Sequence, residues 1–388
     1  MWRIPRTTTS RRFSTGSFPV KLGEFDFIAK LRNAFPPKSG AFLGIGDDCA
    51  VLPFDRLTAS RRSGELLVST DLLTEGVHFL LDEITPRQLG WKSLAVNISD
   101  IAAMGGTPKA FFLSIAIPAS VPHLASAPAD GFPSGAGRCD EAWFDAFIYG
   151  LKSIADRFGV ELLGGDTSRS VGPLTINVTI LGTCAKGKSV KRSAARPGDL
   201  ICVSGCLGDS AAGLRLIQER RSGLQGNAIA EELIRRHYEP QPRVSLGQAL
   251  AAMPGIGAMM DLSDGLAADL PHILDASGPG STPPAALGAR IDPSRIPLSE
   301  ELQAICREKG WDALQLAIEG GEDYELLFTC RPDAPLDAMR GGGTLSSLHL
   351  SPGLSPARDL ITVIGRITDT PGIVWEGTRR SFRGFRHF

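Results

Sequence analysis

The chain has 388 residues, of which 43% are hydrophobic and 21% charged, a composition typical of a soluble globular protein with room for two domains. Its net charge of -1 excludes a broad basic surface for nucleic acid or anionic membranes, and no apolar run is long enough to span a bilayer. The seven cysteines include no CxxC pair, which favours a reducing, cytoplasmic environment over a disulfide framework.

The N-terminal segment differs in composition from the rest of the chain. Residues 1–22 carry five basic residues and no acidic residue, and they are rich in serine and threonine. This composition favours a disordered basic tail, with an organelle-targeting segment as the alternative. Apolar residues at helical spacing then predict a helix over Gly23–Phe35, and residues 55–65 are typical of a hairpin loop.

Strands and helices alternate between residues 66 and 183. The predicted strands are Leu66–Ser69, Ala110–Pro118, Val160–Leu163 and Leu174–Thr183. The predicted helices are Thr85–Gly106, which ends at a glycine pair, and Glu141–Phe158. Residues 119–140 are rich in alanine, proline, glycine and serine, and we interpret them as a loop insertion.

The second half begins after a predicted boundary near Ala185–Lys191. Its predicted strands are Leu200–Ser204, 316–330 and 360–368, and its predicted helices are Ile229–Glu239 and Val244–Ala252. Residues 260–274 are interpreted as a strand end followed by a helix start, and residues 276–288 and 331–358 as insertions. The glycine-rich bend Gly205–Gly213 opens a helix and is either a phosphate cradle or only a tight connection. This alternation predicts an α/β or α+β fold in two domains.

Five acidic stretches recur along the chain, each beside glycine, serine or threonine. They are GIGDDCAVL (44–52), VSTDLLTEGVHF (68–79), VNISDIAAMGGTP (96–108), LLGGDTSRS (162–170) and MDLSDGLAADL (260–270). Asp100 stands alone among apolar and small residues of a predicted helix, where a carboxylate is costly to bury without a partner. Taken alone, Asp100 is either a metal ligand or a capping or salt-bridged aspartate.

Carboxylate oxygens are hard ligands that suit Mg²⁺ or Ca²⁺ better than zinc. Mg²⁺ usually takes one or two carboxylates and shares its other positions with water and substrate phosphates. Aspartates at several strand ends and helix starts therefore predict more than one Mg²⁺ ion with a polyphosphate between them. The sequence contains no Walker A loop and no HRD–DFG set of a protein kinase.

Together the motifs resemble the thiamine-monophosphate kinase family, within the aminoimidazole-ribonucleotide-synthetase-like superfamily. The matching pieces are GIGDDCAVL, STDLLTEGVHF, GWKSLAVNISDIAAMGGTP, LLGGDTSR, KRSAARPGD, VSGCLGDSAAGL, RRHYEPQPR, MDLSDGLAADL, EGGEDYELLFT and the terminal GFRHF. They run in order from about residue 23 to the end of the chain. The tail and the insertions near 119–140, 278–288 and 331–358 lie outside the resemblance.

The resemblance implies a two-domain α/β (α+β) fold. The N-terminal domain, residues 23–185, would bind metal and ATP and carry a mixed sheet that pairs across a homodimer into a barrel. The C-terminal domain, residues 186–388, would be an α/β sandwich that completes the ATP and substrate sites. The implied activity is ATP-dependent phosphorylation of thiamine monophosphate to thiamine diphosphate with several Mg²⁺ ions.

The resemblance also implies roles for particular residues. The implied metal ligands are Asp48, Ser69, Thr70, Asp71, Asp100, Asp166, Asp261 and Asp264. The implied ATP contacts are Tyr149, Gly165, Asp166, Arg192 and Ser263. The implied thiamine monophosphate contacts are His78, Glu322 and Phe382, the last at a position where many relatives have tryptophan.

The implied mechanism is direct in-line transfer, with charge absorbed by the metal ions and Arg192 and with no protein nucleophile or base. From the residues alone, Phe382 is also compatible with a cap on the core and His78 with an ordinary loop histidine. Two other functions remain open. One is a sister activity, such as that of aminoimidazole ribonucleotide synthetase or selenophosphate synthetase. The other is a non-catalytic regulator that binds a nucleotide or a thiamine phosphate.

Overall fold

The structure, a computed structural model, describes residues 47–53, 64–118, 141–219, 227–278, 287–336 and 361–384. The basic tail, the helix expected at 23–35, most of the hairpin loop and the insertion at 119–140 lie outside these ranges. The terminal GFRHF motif lies outside them as well, apart from Gly384. Within the described ranges, no helix combines the length and apolar character needed to cross a bilayer.

The first sheet has five strands in the order β1-β2-β5-β3-β4. The strands are β1 (Ala50–Pro53), β2 (Glu65–Thr74), β3 (Thr107–Pro118), β4 (Glu161–Ser170) and β5 (Thr175–Cys184). Only β3 and β4 pair in parallel; the other neighbours are antiparallel. Helix α1 (Pro86–Ala103) packs on this sheet, and helix α2 (Glu141–Phe158) packs along α1.

Helix α1 has clear local signals at both ends. The Thr85 side chain accepts a hydrogen bond from the backbone N–H of Gln88, and the Gln88 side chain accepts one from the backbone N–H of Thr85. Pro86 opens the first turn. Past the last turn, Gly105 has a φ of +69°, as is common where a glycine ends a helix. A Cβ at Gly182 of β5 would lie 2.7 Å from Ile101, so this glycine lets α1 approach the sheet closely. The predicted helix and its glycine stop are confirmed.

The second sheet has six strands in the order β11-β8-β10-β6-β9-β7. Its strands are β6 (Leu200–Ser204), β7 (Ile256–Asp261), β8 (Gly288–Ile291), β9 (Leu326–Cys330), β10 (Ile361–Thr368) and β11 (Gly372–Trp375). The helices of this half are α3 (Asp209–Gln218), α4 (Ala228–Tyr238), α5 (Val244–Ala252), α6 (Leu266–Ser277), α7 (Glu300–Lys309) and α8 (Ala313–Glu319). The β8–β11 pair is parallel and the other pairs are antiparallel.

Helices cover both faces of the second sheet. Met260 of β7 packs with residues of α6, whereas its neighbour Met259 packs with residues of α5 on the other face. The C-terminal end of α1 joins the second of these clusters through Ala103. Helix α1 therefore reaches from the first sheet to the second, and the residues of its last turns lie where the two sheets meet. The predicted mixed α/β architecture with two sheets is confirmed.

Three strand predictions need correction. Residues 316–330 do not form one strand, because Asp312 caps α8 and the following turn holds Glu322 and Tyr324 at φ values of 66° and 52°. The strand predicted at Leu66–Ser69 continues to Thr74, since β5 pairs with it along its whole length. The strand predicted at Val160–Leu163 likewise continues through its glycine pair to Ser170, paired with β3.

Candidate active site

Three buried or half-buried carboxylates meet between the two sheets. One oxygen each of Asp48, Asp100 and Asp261 lies within 4.8 Å of the others. Asp48 precedes β1, Asp100 lies in the last turns of α1, and Asp261 ends β7. Segments more than 200 residues apart in the sequence thus supply a single cluster, which we call the carboxylate cluster.

Strand β2 presents two further predicted ligands to the cluster. Ser69 and Asp71 lie on the inner face of β2, the same face as the buried residues Leu67 and Leu73. The Ser69 hydroxyl donates a hydrogen bond of 2.5 Å to Asp100 Oδ2. Burial and the nearby charge of Asp48 raise the pKa of Asp71 to about 6.

The cluster carries more negative charge than its surroundings balance. Burial, followed by repulsion from the neighbouring aspartates, raises the pKa values of Asp100 and Asp261 well above the usual range. Arg192 pairs with the cluster: its guanidinium donates to both oxygens of Asp48, at 2.7 and 3.2 Å. Burial opposes the charged form of Arg192, but Asp48 raises the pKa of the guanidinium above its usual value.

The donor set fits a hard divalent cation. Its carboxylates and the Ser69 hydroxyl offer oxygen only, which suits Mg²⁺ and disfavours zinc. The side-chain oxygen of Asn97, one helical turn before Asp100, is buried and has no hydrogen-bond partner among the described residues. An unbalanced negative charge beside an unsatisfied acceptor is the environment that a bound cation with its water ligands would stabilise.

The loop after β7 carries the predicted residues Ser263 and Asp264 and is shaped by Asp269. The Asp269 carboxylate accepts the backbone N–H groups of Asp264 and Gly265, at 3.1 and 3.0 Å. The Ser263 carbonyl accepts the backbone N–H of Glu322 at 2.8 Å. The predicted nucleotide loop therefore lies directly beside the segment that carries a predicted substrate residue.

His78 follows β2 of the first sheet and Glu322 precedes β9 of the second, and both contact one lysine of α1. Lys92 Nζ lies 2.8 Å from Glu322 Oε1 and donates to the His78 carbonyl at 3.5 Å. The Nδ1 atom of His78 accepts the backbone N–H of Thr74 at 3.0 Å, which leaves Nε2 to carry the proton of the neutral ring. His237 Nδ1 lies 3.4 Å from the other oxygen of Glu322.

Known proteins with similar sequences support one family. The sequence model of AIR synthase related protein, N-terminal domain, matches residues 46–184. Thiamine-monophosphate kinase of Escherichia coli (strain K12) is 36% identical over 372 residues, covering 94% of this chain and 98% of that protein. The enzyme of the same name from Salmonella typhimurium is 39% identical over 308 residues, covering 79% and 82%.

The chain belongs to the thiamine-monophosphate kinase family. Its fold agrees with this assignment. The solved structure of AaThiL complexed with AMPPCP and TMP is 31% identical, covers 96% of this chain and 100% of that chain, and has a TM-score of 0.73. The predicted resemblance is thereby confirmed.

Several residues that the family resemblance implies lie away from the carboxylate cluster. Thr70 faces the outer side of β2, where its hydroxyl donates to the Val178 carbonyl at 3.2 Å. Asp166 lies on β4, three strand spacings or roughly 14 Å from β2, and pairs in register with Ser114. Tyr149 is 62% exposed on α2. These positions remain predictions, and within one chain they do not join the cluster.

Gly165 and Phe382 have clear structural surroundings. Gly165 has a φ of +154°, and a Cβ there would lie 1.7 Å from the Leu113 carbonyl oxygen, so no other residue fits without displacing the backbone. Phe382 packs edge-on against Trp375 at 4.8 Å and against the core of the second sheet. The Arg380 guanidinium lies 5.2 Å from the Phe382 ring.

The glycine-rich bend before α3 is a tight connection in which the first helical amides already have a partner. Gly208 and Ser210 donate their N–H groups to the two oxygens of Asp323, at 2.7 and 3.2 Å. An internal carboxylate thus takes the place that a phosphate would occupy at a helix N-terminus. Of the two alternatives for this bend, a phosphate cradle or a tight connection, these hydrogen bonds favour the tight connection.

Sequence reasoning missed three residues that shape the site. Lys92 could have been noticed as a cation within the otherwise apolar helical stretch around GWKSLAVN. Asp269 is the last aspartate of the MDLSDGLAADL motif. His237 lies within the matching motif RRHYEPQPR, but nothing in that motif assigned it a role, and the structure buries it fully.

Proposed function

We propose that this chain is a thiamine-phosphate kinase that transfers the γ-phosphoryl group of ATP to thiamine monophosphate, giving thiamine diphosphate and ADP. The observation that carries the proposal is that one helix, α1, holds both ends of the site. Asp100 of α1 belongs to the carboxylate cluster with Arg192, while Lys92 of the same helix contacts His78 and Glu322. The relative solved with AMPPCP and TMP supports the same pair of ligands.

The proposed roles follow from charge and geometry. Asp48, Asp71, Asp100 and Asp261 would hold Mg²⁺ ions, which when bound neutralise charge on phosphate oxygens. The Arg192 guanidinium, held in a fixed plane by its two bonds to Asp48, would face the γ-phosphate. Ser263 and Gly165 would contact ATP.

In the transfer step, an ionised phosphate oxygen of thiamine monophosphate attacks the γ-phosphorus of ATP. The bond from the γ-phosphorus to the bridging oxygen breaks on the opposite side, and ADP leaves. Because the attacking oxygen already carries a negative charge, no side chain is required to remove a proton. His78, Glu322 and Phe382 would hold the thiamine monophosphate in line, with the Phe382 ring covering one of its heterocycles.

We further infer a homodimer in which the first sheets of two copies pair into a barrel. Helices of the described ranges pack on the inner face of this sheet, while Leu72 and Phe112 on the outer face are 54% and 40% exposed. The edge strand β4 is exposed along nearly its whole length, including Leu162 and Leu163 at 54% each. A second copy would cover these apolar residues and bring its Asp166 towards the cluster.

The division into an N-terminal part at 23–185 and a C-terminal part at 186–388 also belongs to this proposal, as does the cytoplasmic location. The two sheets use residues on either side of the proposed boundary. The N-terminal part would bind metal and ATP and form the dimer, and the C-terminal part would complete the ATP and substrate sites.

A coupled assay of ADP release tests the function directly. Purified protein is supplied with ATP and Mg²⁺, and thiamine monophosphate is compared with thiamine and with formylglycinamidine ribonucleotide as the acceptor. We expect thiamine diphosphate to form from thiamine monophosphate and no turnover with the other two. No turnover with thiamine monophosphate, in protein that still binds Mg²⁺ and ATP, would refute the proposal and favour a sister activity or a regulator.

A further inference from the structure

Lys92 is an unusual residue for the middle of a buried helix. Its side chain is 0% exposed, and its ammonium pairs with the carboxylate of Glu322, whose side chain is 19% exposed. A buried ammonium is costly unless a carboxylate and further acceptors satisfy it. Here the second acceptor is the His78 carbonyl, so one cation contacts the two polar residues predicted to hold thiamine monophosphate.

The segment that carries Glu322 needs an external constraint. Glu322 and Tyr324 both have left-handed φ values, 66° and 52°, which residues other than glycine adopt only when their surroundings enforce them. Their backbone N–H groups donate to the carbonyls of Ser263 and Leu262. These bonds fix the backbone of the turn, whereas the Lys92 ion pair fixes where the Glu322 side chain points.

The ion pair also fixes the charge state of Glu322. Burial favours the neutral acid, but the charge of Lys92 lowers the pKa of Glu322 to about 2. Burial, followed by the charge of Lys92, lowers the pKa of His237 well below its usual value, so this neighbour is neutral. Glu322 is therefore an ionised acceptor whose charge Lys92 already balances.

Stability alone does not account for such a pair. Replacing a buried ion pair by apolar residues of similar size is often neutral or stabilising, so burial of two charges is weak evidence for a stabilising role. The pair joins α1, which packs on the first sheet, to the turn that precedes β9 of the second sheet. Its geometric effect is to hold His78 and Glu322, from the two halves of the chain, at a fixed separation.

We propose that Lys92 is the positioning residue of the thiamine subsite: its ammonium holds the Glu322 carboxylate and the His78 turn in the arrangement that receives thiamine monophosphate. This inference rests on the proposed function. Because Lys92 neutralises Glu322, the carboxylate serves the substrate as a hydrogen-bond acceptor, for example for the pyrimidine amino group. It does not serve as a free counter-charge to the thiazolium ring.

The test measures steady-state kinetics of Lys92→Gln, Lys92→Arg and wild type with each substrate varied. We expect Lys92→Gln to raise the KM for thiamine monophosphate by about tenfold or more, because Glu322 loses its charged partner. The KM for ATP should stay within about twofold of wild type. Lys92→Arg, which keeps the cation, should recover part of the loss.

A matched control is Lys152→Gln, which breaks an exposed lysine–carboxylate pair with Asp156 in which the lysine side chain is 68% exposed. It should leave both KM values unchanged. Equal KM values for thiamine monophosphate in Lys92→Gln and wild type would overturn the inference. Absence of turnover or thiamine monophosphate binding in the wild type would instead overturn the proposed function itself.

A double-mutant cycle separates positioning from a general structural effect. Its double variant, Lys92→Gln with Glu322→Gln, leaves no unpaired charge buried, so we expect it to fold. If Lys92 acts mainly through Glu322, Lys92→Gln should lower kcat/KM for thiamine monophosphate by a much smaller factor in a Glu322→Gln background than in wild type, the remainder being the contact with the His78 carbonyl. If the two losses multiply as independent effects, Lys92 does not act through Glu322 and the inference is wrong.

Discussion

Asp100→Asn should remove turnover while raising the thermal stability of the metal-free protein. The substitution keeps the shape of the side chain and its capacity to accept the Ser69 hydrogen bond, but removes one negative charge from the carboxylate cluster. The lost activity follows from the predicted role of Asp100 in holding Mg²⁺. The gain in stability follows from the repulsion that the three aspartates exert on one another when no metal is bound.

The magnitude follows from the geometry of the cluster. The three carboxylates approach within 4.8 Å, and at this separation two unit charges repel by roughly 3 kcal/mol at an effective dielectric constant of about 20. Arg192 and proton uptake offset much of this repulsion, so we expect a net relief of about 1–2 kcal/mol. For a chain of 388 residues, with an unfolding entropy of about 2.1 cal/mol/K per residue, that corresponds to a rise in melting temperature of about 1–3 °C.

The assay is thermal unfolding of wild type and Asp100→Asn in EDTA and in Mg²⁺, combined with the coupled ADP assay. Asp82→Asn, which neutralises an exposed aspartate, is the control and should behave as wild type in both. Wild type should gain stability on addition of Mg²⁺, whereas Asp100→Asn should gain much less. A variant with wild-type turnover, or one that melts lower than wild type in EDTA, would refute this account of the cluster.

Three further predictions concern the same site. Arg192→Lys should lower kcat/KM for ATP by at least about tenfold, because an ammonium cannot make both bonds to Asp48 and face a phosphate in a fixed plane; unchanged kinetics would argue against the role of the guanidinium. Mixing the inactive variants Asp100→Asn and Asp166→Asn under conditions of subunit exchange should restore about a quarter of wild-type activity, since half of the dimers would contain one intact site; no recovery would indicate that one chain supplies both residues. Thermal stabilisation by Mg²⁺ should be larger at about pH 8 than at about pH 5, because the raised carboxyl pKa values, about 6 for Asp71, make the metal-free fold lose stability as the pH rises through them. Equal stabilisation at both pH values would contradict the charge state assigned to the cluster.

Local features of the fold could be predicted from the sequence because their causes are local. The glycine pair Gly105-Gly106 predicted where α1 ends, and the β-branched run at 174–183 predicted β5 to within one residue. Extensions of strands were missed where the partner strand, and not the residues themselves, kept the chain extended. This is why Asp71 lies inside β2 and not at its end.

By itself the sequence determined the family and the set of aspartates, and it predicted Mg²⁺ as the cation, since these depend on residue types and their order along the chain. The tertiary structure decided which of these residues meet. Strand alternation directs Thr70 away from the cluster, and strand order separates Asp166 from it. The pairing of Lys92 with Glu322 joins residues 230 positions apart through the packing of two sheets, and no local pattern in either segment encodes that contact.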